Sequence, residues 1–425
     1  MNTIQYNTNR EIPVTHTADV MVIGGGPGGL GAAVMAAREG ANVMLIERYG
    51  QLGGMATQGQ VNAFMHNHVK GNLLDKPVCR EWADKMEKYR VNNSPHNLVE
   101  HNAAMLAAEE LCLEAGVKLL YHHTLIDVVM DGTEDIDYLI FWSKSGITAA
   151  KAKVYIDCTG DADLAVYAGC AYEQGGPDGA CQPMTAFFGL ENIDDSRVPS
   201  MEELQVLYKA AKERGEISCP QAHLHPAPFF SPGIRTFNWT RVLDTVGTNG
   251  DDLSKAEIIA RQQIREVVAF FHNYVPGYEN AAIRSIATHI GIRETRRVIG
   301  QAFLTRDAFV TAAKFPDAIV RVQYPIDIHN PHGAGVELIY MPEGDWYEIP
   351  YGCIVPRDCG NLLIGGRPIS VDHAIHSSMR IMPVACSVGS AAGIAATIAV
   401  KKNCMPKEID GTQVRKVLAR HGACL

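Results

Sequence analysis

The 425 residues contain no basic tract, and the formal net charge is -9. A nucleic-acid partner is therefore not expected, because neutralising phosphates needs clustered lysine and arginine. The 11 cysteines include no CxxC pair, and the closest two, Cys353 and Cys359, are wrongly spaced for a zinc knuckle or an iron–sulfur ligand set. They read as buried free thiols in a reducing compartment, with Cys158 and Cys353 in apolar surroundings. Residues 1–18 are polar, carry Pro13 and lack the apolar core of a signal peptide. There is no internal repeat and no low-complexity tract. The longest apolar stretch, from Pro383 to Val400, is rich in alanine and glycine and is interrupted by Ser387, Ser390 and Thr397. Its small residues favour a helix packed closely on a sheet over a membrane span. These absences predict a cytoplasmic protein with no membrane span. Its length, with 47% hydrophobic and 20% charged residues, is that of a globular enzyme with a large core and room for two or more domains.

What is present begins with Gly24-Gly25-Gly26-Pro27-Gly28-Gly29. The loop follows an apolar run from Asp19 to Ile23 and precedes a predicted helix from Leu30 to Glu39, ended by Gly40. A second apolar run, Asn42 to Ile46, leads into Glu47, completing a βαβ unit. In this context Gly24 permits a tight turn, Gly26 admits a pyrophosphate to the backbone, and Gly29 lets the helix pack on the strand. The helix N-terminus offers unpaired N–H groups to phosphates. Glu47 stands where a carboxylate can accept ribose hydroxyls. The bland alternative is a glycine turn without ligand, against which strand, helix and acid all fall in register.

The remaining pattern is mixed. Helices are predicted at Pro77 to Tyr89, Asn97 to Ala115, Met201 to Arg214 and Lys255 to Tyr274. Strands are predicted at Val117 to Tyr121, Leu125 to Met130, Tyr138 to Trp142 and Ile147 to Ile156, and later at Ile349 to Val355 and Asn361 to Ile364. Three units follow from the changes in pattern: 1–175, with an irregular excursion near 56–96; 176–345, helical and rich in proline; and 346–425.

Arg48 through Thr57, containing Gly53-Gly54, resembles the E-R-x-x-x-x-G-G stretch of two-dinucleotide-binding-domain flavoproteins. Ile156 to Asp163 and Asn361 to Arg367 resemble their second and third FAD signatures. Gly291 to Arg297, Tyr324 to His329, Ser370-x-x-His373 and Arg380-Ile381-Met382-Pro383 resemble bacterial proteins called the FAD-dependent oxidoreductase family, relatives of the succinate dehydrogenase and fumarate reductase flavoproteins. The likeness covers nearly the whole chain and is weakest from 60 to 96.

The resemblance implies an α/β fold. It comprises a discontinuous, Rossmann-like FAD-binding domain of the glutathione-reductase type and an inserted α+β substrate cap. It also implies FAD contacts at Gly24, Gly26, Gly29, Glu47, Arg48, Gly54, Met55, Gly160, Asp161, Gly366 and Arg367, with an adenine contact near Leu125. Backbone N–H groups of Ile381 and Met382, at the start of the helix from Pro383, would face the flavin pyrimidine edge. Relatives with covalent FAD carry His after the glycine pair. This chain has Met55-Ala56-Thr57, so noncovalent FAD is expected.

FAD supplies the redox chemistry, and the protein supplies orientation and proton transfer. His373 is the first acid–base candidate, with His376 beside it. Arg293 could orient a carboxylate, although Arg293, Glu294, Arg296 and Arg297 could equally form a salt-bridge network. His66 and His68 could reach substrate if their loop returns over the flavin; a surface loop is the alternative, and no third metal ligand accompanies them. His329 follows Asp327, where a structural Asp–His contact competes with function. The expected activity is hydride transfer between FAD and a small polar substrate, such as a sugar derivative or hydroxy acid. Reduction of an activated C=C bond and an electron-transfer subunit of a larger complex are the alternatives. The electron acceptor is unassigned and a homo-oligomer is left open.

Overall fold

The structure, a computed structural model, describes residues 11–74, 76–90 and 98–425. The first ten residues of the polar N-terminal stretch, and the expected helix start at Asn97, lie outside the described residues.

The central sheet has seven strands. Lys118–Leu120, Val43–Ile46, Val14–Ile23 and Gly146–Asp157 run parallel in that order, and Leu362–Ile364 adds to Gly146–Asp157, also parallel. Ile136–Ser143 and Thr124–Met130 continue the other edge as antiparallel strands. Val43–Ile46 is buried at all four residues, as expected of a parallel strand covered on both faces. Leu363 pairs opposite Ile156, so a strand over 200 residues later returns to the N-terminal sheet.

Two helices pack on this sheet and on each other. Pro27–Arg38 begins three residues earlier than the sequence pattern predicts, because Pro27 suits the first helical turn. Met382–Lys402 is buried along nearly its whole length. Among the described residues it is the one helix long and apolar enough to cross a membrane, and 89% of its apolar window is buried inside the protein.

The buried apolar residues form two clusters. The larger surrounds the seven-stranded sheet. The smaller runs from Met184 to Ile292 and is built on a four-stranded antiparallel sheet covered by the helix Gly250–Tyr274. Phe237, Trp239, Phe271 and Tyr278 stack at its centre, with Phe271 and Tyr278 rings 4.3 Å apart. Apolar residues from Val298 to Val322 pack with the larger cluster.

One local reading is corrected. The predicted strand Ile349 to Val355 is a strand only over Tyr347–Pro350 and then a 3-10 turn, Tyr351–Ile354; Pro350 removes a ladder donor there. Residues 373–379 form a helix, capped by the Asp372 carboxylate accepting from Ile375 N–H at 2.8 Å. Among the described residues from Gly54 onward are a 3-10 turn, a short hairpin (His68–Val69 with Asn72–Leu73) and the helix Val78–Met86, which falls within the predicted Pro77 to Tyr89.

Candidate active site

A cavity of about 350 Å³ opens where the N-termini of the two packed helices meet the C-terminal ends of the parallel strands. This is where ligands bind in open parallel sheets. Three glycine segments, far apart in sequence, form its floor. A β-carbon on Gly54 would stand 2.8 Å from Gly26 Cα, and one on Gly28 would stand 2.8 Å from the Gly365 carbonyl oxygen. No other residue type could bring these backbones so close. Gly29 does not line the cavity: a β-carbon there would meet the Gly24 carbonyl oxygen at 1.8 Å, so it serves helix–strand packing.

Glu47 lines the cavity and is 7% exposed. Its carboxylate accepts from Gly25 N–H at 2.6 Å and Tyr49 N–H at 2.9 Å, which fixes the turn and the acid together. Burial raises its pKa against these donors. Arg48 and Tyr49 line the same wall, the guanidinium 4.8 Å from the ring centroid. His289 lies beside them, and burial followed by the Arg48 charge lowers its pKa.

The second and third signatures meet at an ion pair. Asp161 accepts from Arg367 Nη2 and, at 2.7 Å, from the Thr295 hydroxyl; Arg367 also donates to the Ile292 carbonyl at 3.0 Å. Asp161, Arg367 and Ile292 all line the cavity. The pair thus ties the segments 157–161, 291–297 and 365–367 around one space.

Of the residues expected at FAD, Gly24, Gly26, Glu47, Arg48, Gly54, Met55, Leu125, Gly160, Asp161, Gly366, Arg367 and Met382 line the cavity. Ile381, the N-cap of the long helix, does not. Tyr49, Gln58, His123, His289 and Arg380 line it without having been singled out. Tyr49 was legible next to Glu47-Arg48; His289 arrives from 240 residues away and left no local signal.

The residues expected to act on substrate fall elsewhere. His373 does not line the cavity. Its Nδ1 lies 2.7 Å from buried Glu294, which also accepts from Arg297 at 2.8 Å. His376 is fully buried, and burial followed by nearby arginines drives its pKa well below the ordinary value. His66 and His68 are exposed, their rings tilted at 54° with centroids 5.5 Å apart, and neither lines the cavity. The reason is Asn67 between them. It is buried, and its amide donates to the Arg321 carbonyl and accepts from Gln323 N–H, turning both neighbours outward. Arg293 donates to the Pro183 carbonyl at 2.5 Å and the Thr185 hydroxyl at 2.6 Å. Burial, then Arg380, lowers its pKa to about 9.

Arg380 connects the cavity to a second polar group. It lines the cavity and donates to the Asp327 carbonyl at 3.2 Å. The Asp327 carboxylate lies 3.4 Å from His329 Nε2. Burial, then Arg293, lowers the His329 pKa to about 3, so this imidazole is neutral near pH 7.

The profile of the family described as FAD dependent oxidoreductase matches residues 19–418. A curated relative, a soluble pyridine nucleotide transhydrogenase from Shigella boydii serotype 18, is 48% identical over 133 residues, covering 29% of this chain and 28% of the relative's length. Among solved structures, a geranylgeranyl bacteriochlorophyll reductase-like protein from Thermoplasma acidophilum is similar at TM-score 0.46 and 12% identity, over 96% of this chain and 84% of that one. The p-nitrophenol 4-monooxygenase of Pseudomonas putida is similar at TM-score 0.45 and 13% identity, over 96% and 87%.

Proposed function

The chain belongs to the FAD-dependent oxidoreductase family, and from that membership we propose that it oxidises a small hydroxylated polar molecule by hydride transfer to noncovalently held FAD. The observation that carries this reading is the single cavity on which the glycine floor, Glu47, the Asp161–Arg367 pair and Arg380 converge.

The residues present fit the cofactor. Gly26, the N-cap of the helix Pro27–Arg38, offers its backbone N–H to a pyrophosphate, while the Gly24 N–H is taken by the Ile46 carbonyl at 2.8 Å. Glu47 keeps lone pairs for ribose hydroxyls beyond the two backbone donors it already accepts. Leu125 and Tyr49 supply the apolar wall of an adenine site. Met382 stands at the first turn of the long helix, whose N-terminal dipole favours negative charge on the flavin pyrimidine. Met55 and Ala56 after the glycine pair offer no covalent attachment, which supports noncovalent binding. When bound, the FAD ring accepts a hydride at N5. The broader kinship with succinate dehydrogenase and fumarate reductase flavoproteins belongs to the same proposal, as does a substrate cap within 176–345.

Removing the hydroxyl proton while the carbinol C–H leaves with its electron pair forms the C=O bond. The base must be neutral beforehand and near the cavity. Neither His373 nor His329 lines the cavity. His373 is engaged with Glu294, whereas His329 is neutral and linked through Asp327 to the cavity-lining Arg380, so the role passes to His329. Its contacts, 3.4 Å to Asp327 and 3.5 Å to Arg241, are at the long end of hydrogen bonding, so either can yield to a substrate hydroxyl.

The test is anaerobic. FAD-loaded protein is mixed with panels of polyols, sugars and hydroxy acids, and the visible flavin band is followed. Bleaching by a hydroxylated compound with release of the matching carbonyl is expected. Bleaching only by a partner protein, with none from the panels, would refute the reading.

A further inference from the structure

Beside the cavity, three guanidinium groups gather around one carboxylate. Arg380 donates to the Gln182 side-chain oxygen at 3.3 Å and lies 3.7 Å from the Asp327 carboxylate. Arg241 donates to two backbone carbonyls, of Asn330 and Gly335, both at 3.0 Å, and faces His329 Nδ1 at 3.5 Å. Arg293 donates only to the neutral oxygens of Pro183 and Thr185. Among the described residues, Asp327 is the one carboxylate paired with any of the three. His329 is neutral, so the cluster holds three positive charges against one negative.

Buried charge is costly unless it is paired. Arg241 is 4% exposed, and Arg293 is displaced downward in pKa chiefly by burial and by Arg380. Gln182, 1% exposed, adds a donor. Its side-chain oxygen accepts from His329 N–H at 3.1 Å, while its side-chain nitrogen finds no partner among the described residues. An assembly of donors with two uncompensated positive charges, opening to the cavity through Arg380, is what an anion requires.

We infer that Arg241, Arg293 and Arg380, with Gln182, form the recognition site for a carboxylate on the substrate, so that the molecule oxidised is a hydroxy acid. This rests on the hydride-transfer reading and narrows its substrate class. The carboxylate compensates the excess charge and places the neighbouring carbinol between His329 and the cavity. Burial first, and then the positive field of Arg293 and Arg380, keep His329 weakly basic; a carboxylate offsets the second of these and so strengthens the base when it binds.

The experiment compares charge at constant shape. FAD-loaded protein is titrated with acetate, glycolate and malonate, and separately with acetamide, glycolamide and malonamide, by calorimetry and by the visible flavin spectrum. Saturable binding of the carboxylates with a shift of the flavin band is expected, with the amides at least tenfold weaker. Arg293→Gln and Arg241→Gln should each weaken malonate tenfold or more. Equal binding of amides and carboxylates, or no carboxylate binding into the tens of millimolar, overturns the inference. So does wild-type malonate affinity in Arg293→Gln protein that retains its flavin. The wild-type comparison decides the matter even where a variant fails to fold. The two proposals fail separately. Carboxylate binding without bleaching by any hydroxylated compound leaves this site standing and removes the hydride reading. Bleaching by neutral polyols with no carboxylate binding does the reverse.

Discussion

A β-carbon on Gly389 would stand 1.9 Å from the carbonyl oxygen of Gly28. The two helices that frame the cavity therefore touch backbone to backbone. Gly31 against Cys386 and Gly393 against Ala32 repeat the contact one turn on either side, at 2.1 Å each for the same hypothetical atom. The small residues from Ala391 to Ala396 extend the seam. Close approach here is what brings both helix N-termini to one space.

Gly389→Ala should consequently separate the helices. Overpacking of a filled core costs about 1–3 kcal/mol, and here the obstructing atom is backbone and cannot rotate away. A lower Tm and weaker retention of FAD through gel filtration are expected. Gly250→Ala is the matched control, since nothing lies within 4 Å of a β-carbon there. Equal Tm values for the two variants would contradict the close-packed seam.

The Asp161–Arg367 pair joins the second and third glycine-bearing signatures. Both side chains are at most 15% exposed. Removing one partner of such a pair leaves the other uncompensated, at a cost of about 3–5 kcal/mol. Arg367→Met should therefore weaken FAD binding by about a hundredfold or more, and Asp161→Asn should do likewise. The double variant should lose much less than the sum of the two. Additive losses in the cycle would show that the residues act independently.

Much of this site was legible because its signals are local. Gly24-x-Gly26, Glu47, Gly53-Gly54 and Gly365-Gly366-Arg367 encode backbone shape within a few residues, and shape follows from residue type. The βαβ unit was legible for the same reason: a buried parallel strand reads as an unbroken apolar run. The substrate side was not. His373 looked available because its neighbours in sequence are unremarkable; its partner Glu294 lies 79 positions away. Arg293 read equally as a carboxylate-orienting group and as a member of a salt-bridge network; Glu294 and Arg297 do pair with each other and Arg296 pairs with Asp163, which leaves Arg293 among neutral oxygens. Which charge is compensated is a tertiary property, and no spacing rule carries it.

His376 provides a pH signature of the buried network. Its ring is fully buried, with neither nitrogen hydrogen-bonded among the described residues, and its pKa lies well below 6.5. A depressed folded pKa means that the unfolded chain takes up a proton the folded chain refuses. The stabilising contribution is therefore complete above the unfolded value near 6.5 and is lost as pH falls below it. The loss per bound proton is about 1.4 kcal/mol per pH unit. His376→Asn should make the fall in urea-unfolding free energy between pH 6 and pH 5 shallower by that amount. An unchanged slope, with unchanged dependence on urea, would place the titration elsewhere.

The last prediction separates the two histidines that compete for the proton. Neither lines the cavity; His373 is held by Glu294, whereas His329 is neutral and linked through Asp327 to the cavity-lining Arg380. A positioned base contributes about 10²–10⁴-fold to a proton transfer. His329→Gln should lower the rate of flavin bleaching by a hydroxylated substrate at least a hundredfold, while FAD affinity and Tm stay near wild type. His373→Gln should do the opposite. It removes a partner from a fully buried carboxylate and lowers Tm, with only a modest change in bleaching rate among molecules that remain folded and flavin-loaded. Stopped-flow reduction traces, normalised to bound flavin, distinguish the two. A hundredfold loss in the His373 variant with full activity in the His329 variant would return the catalytic role to His373 and require the helix 373–379 to move toward the cavity when substrate binds.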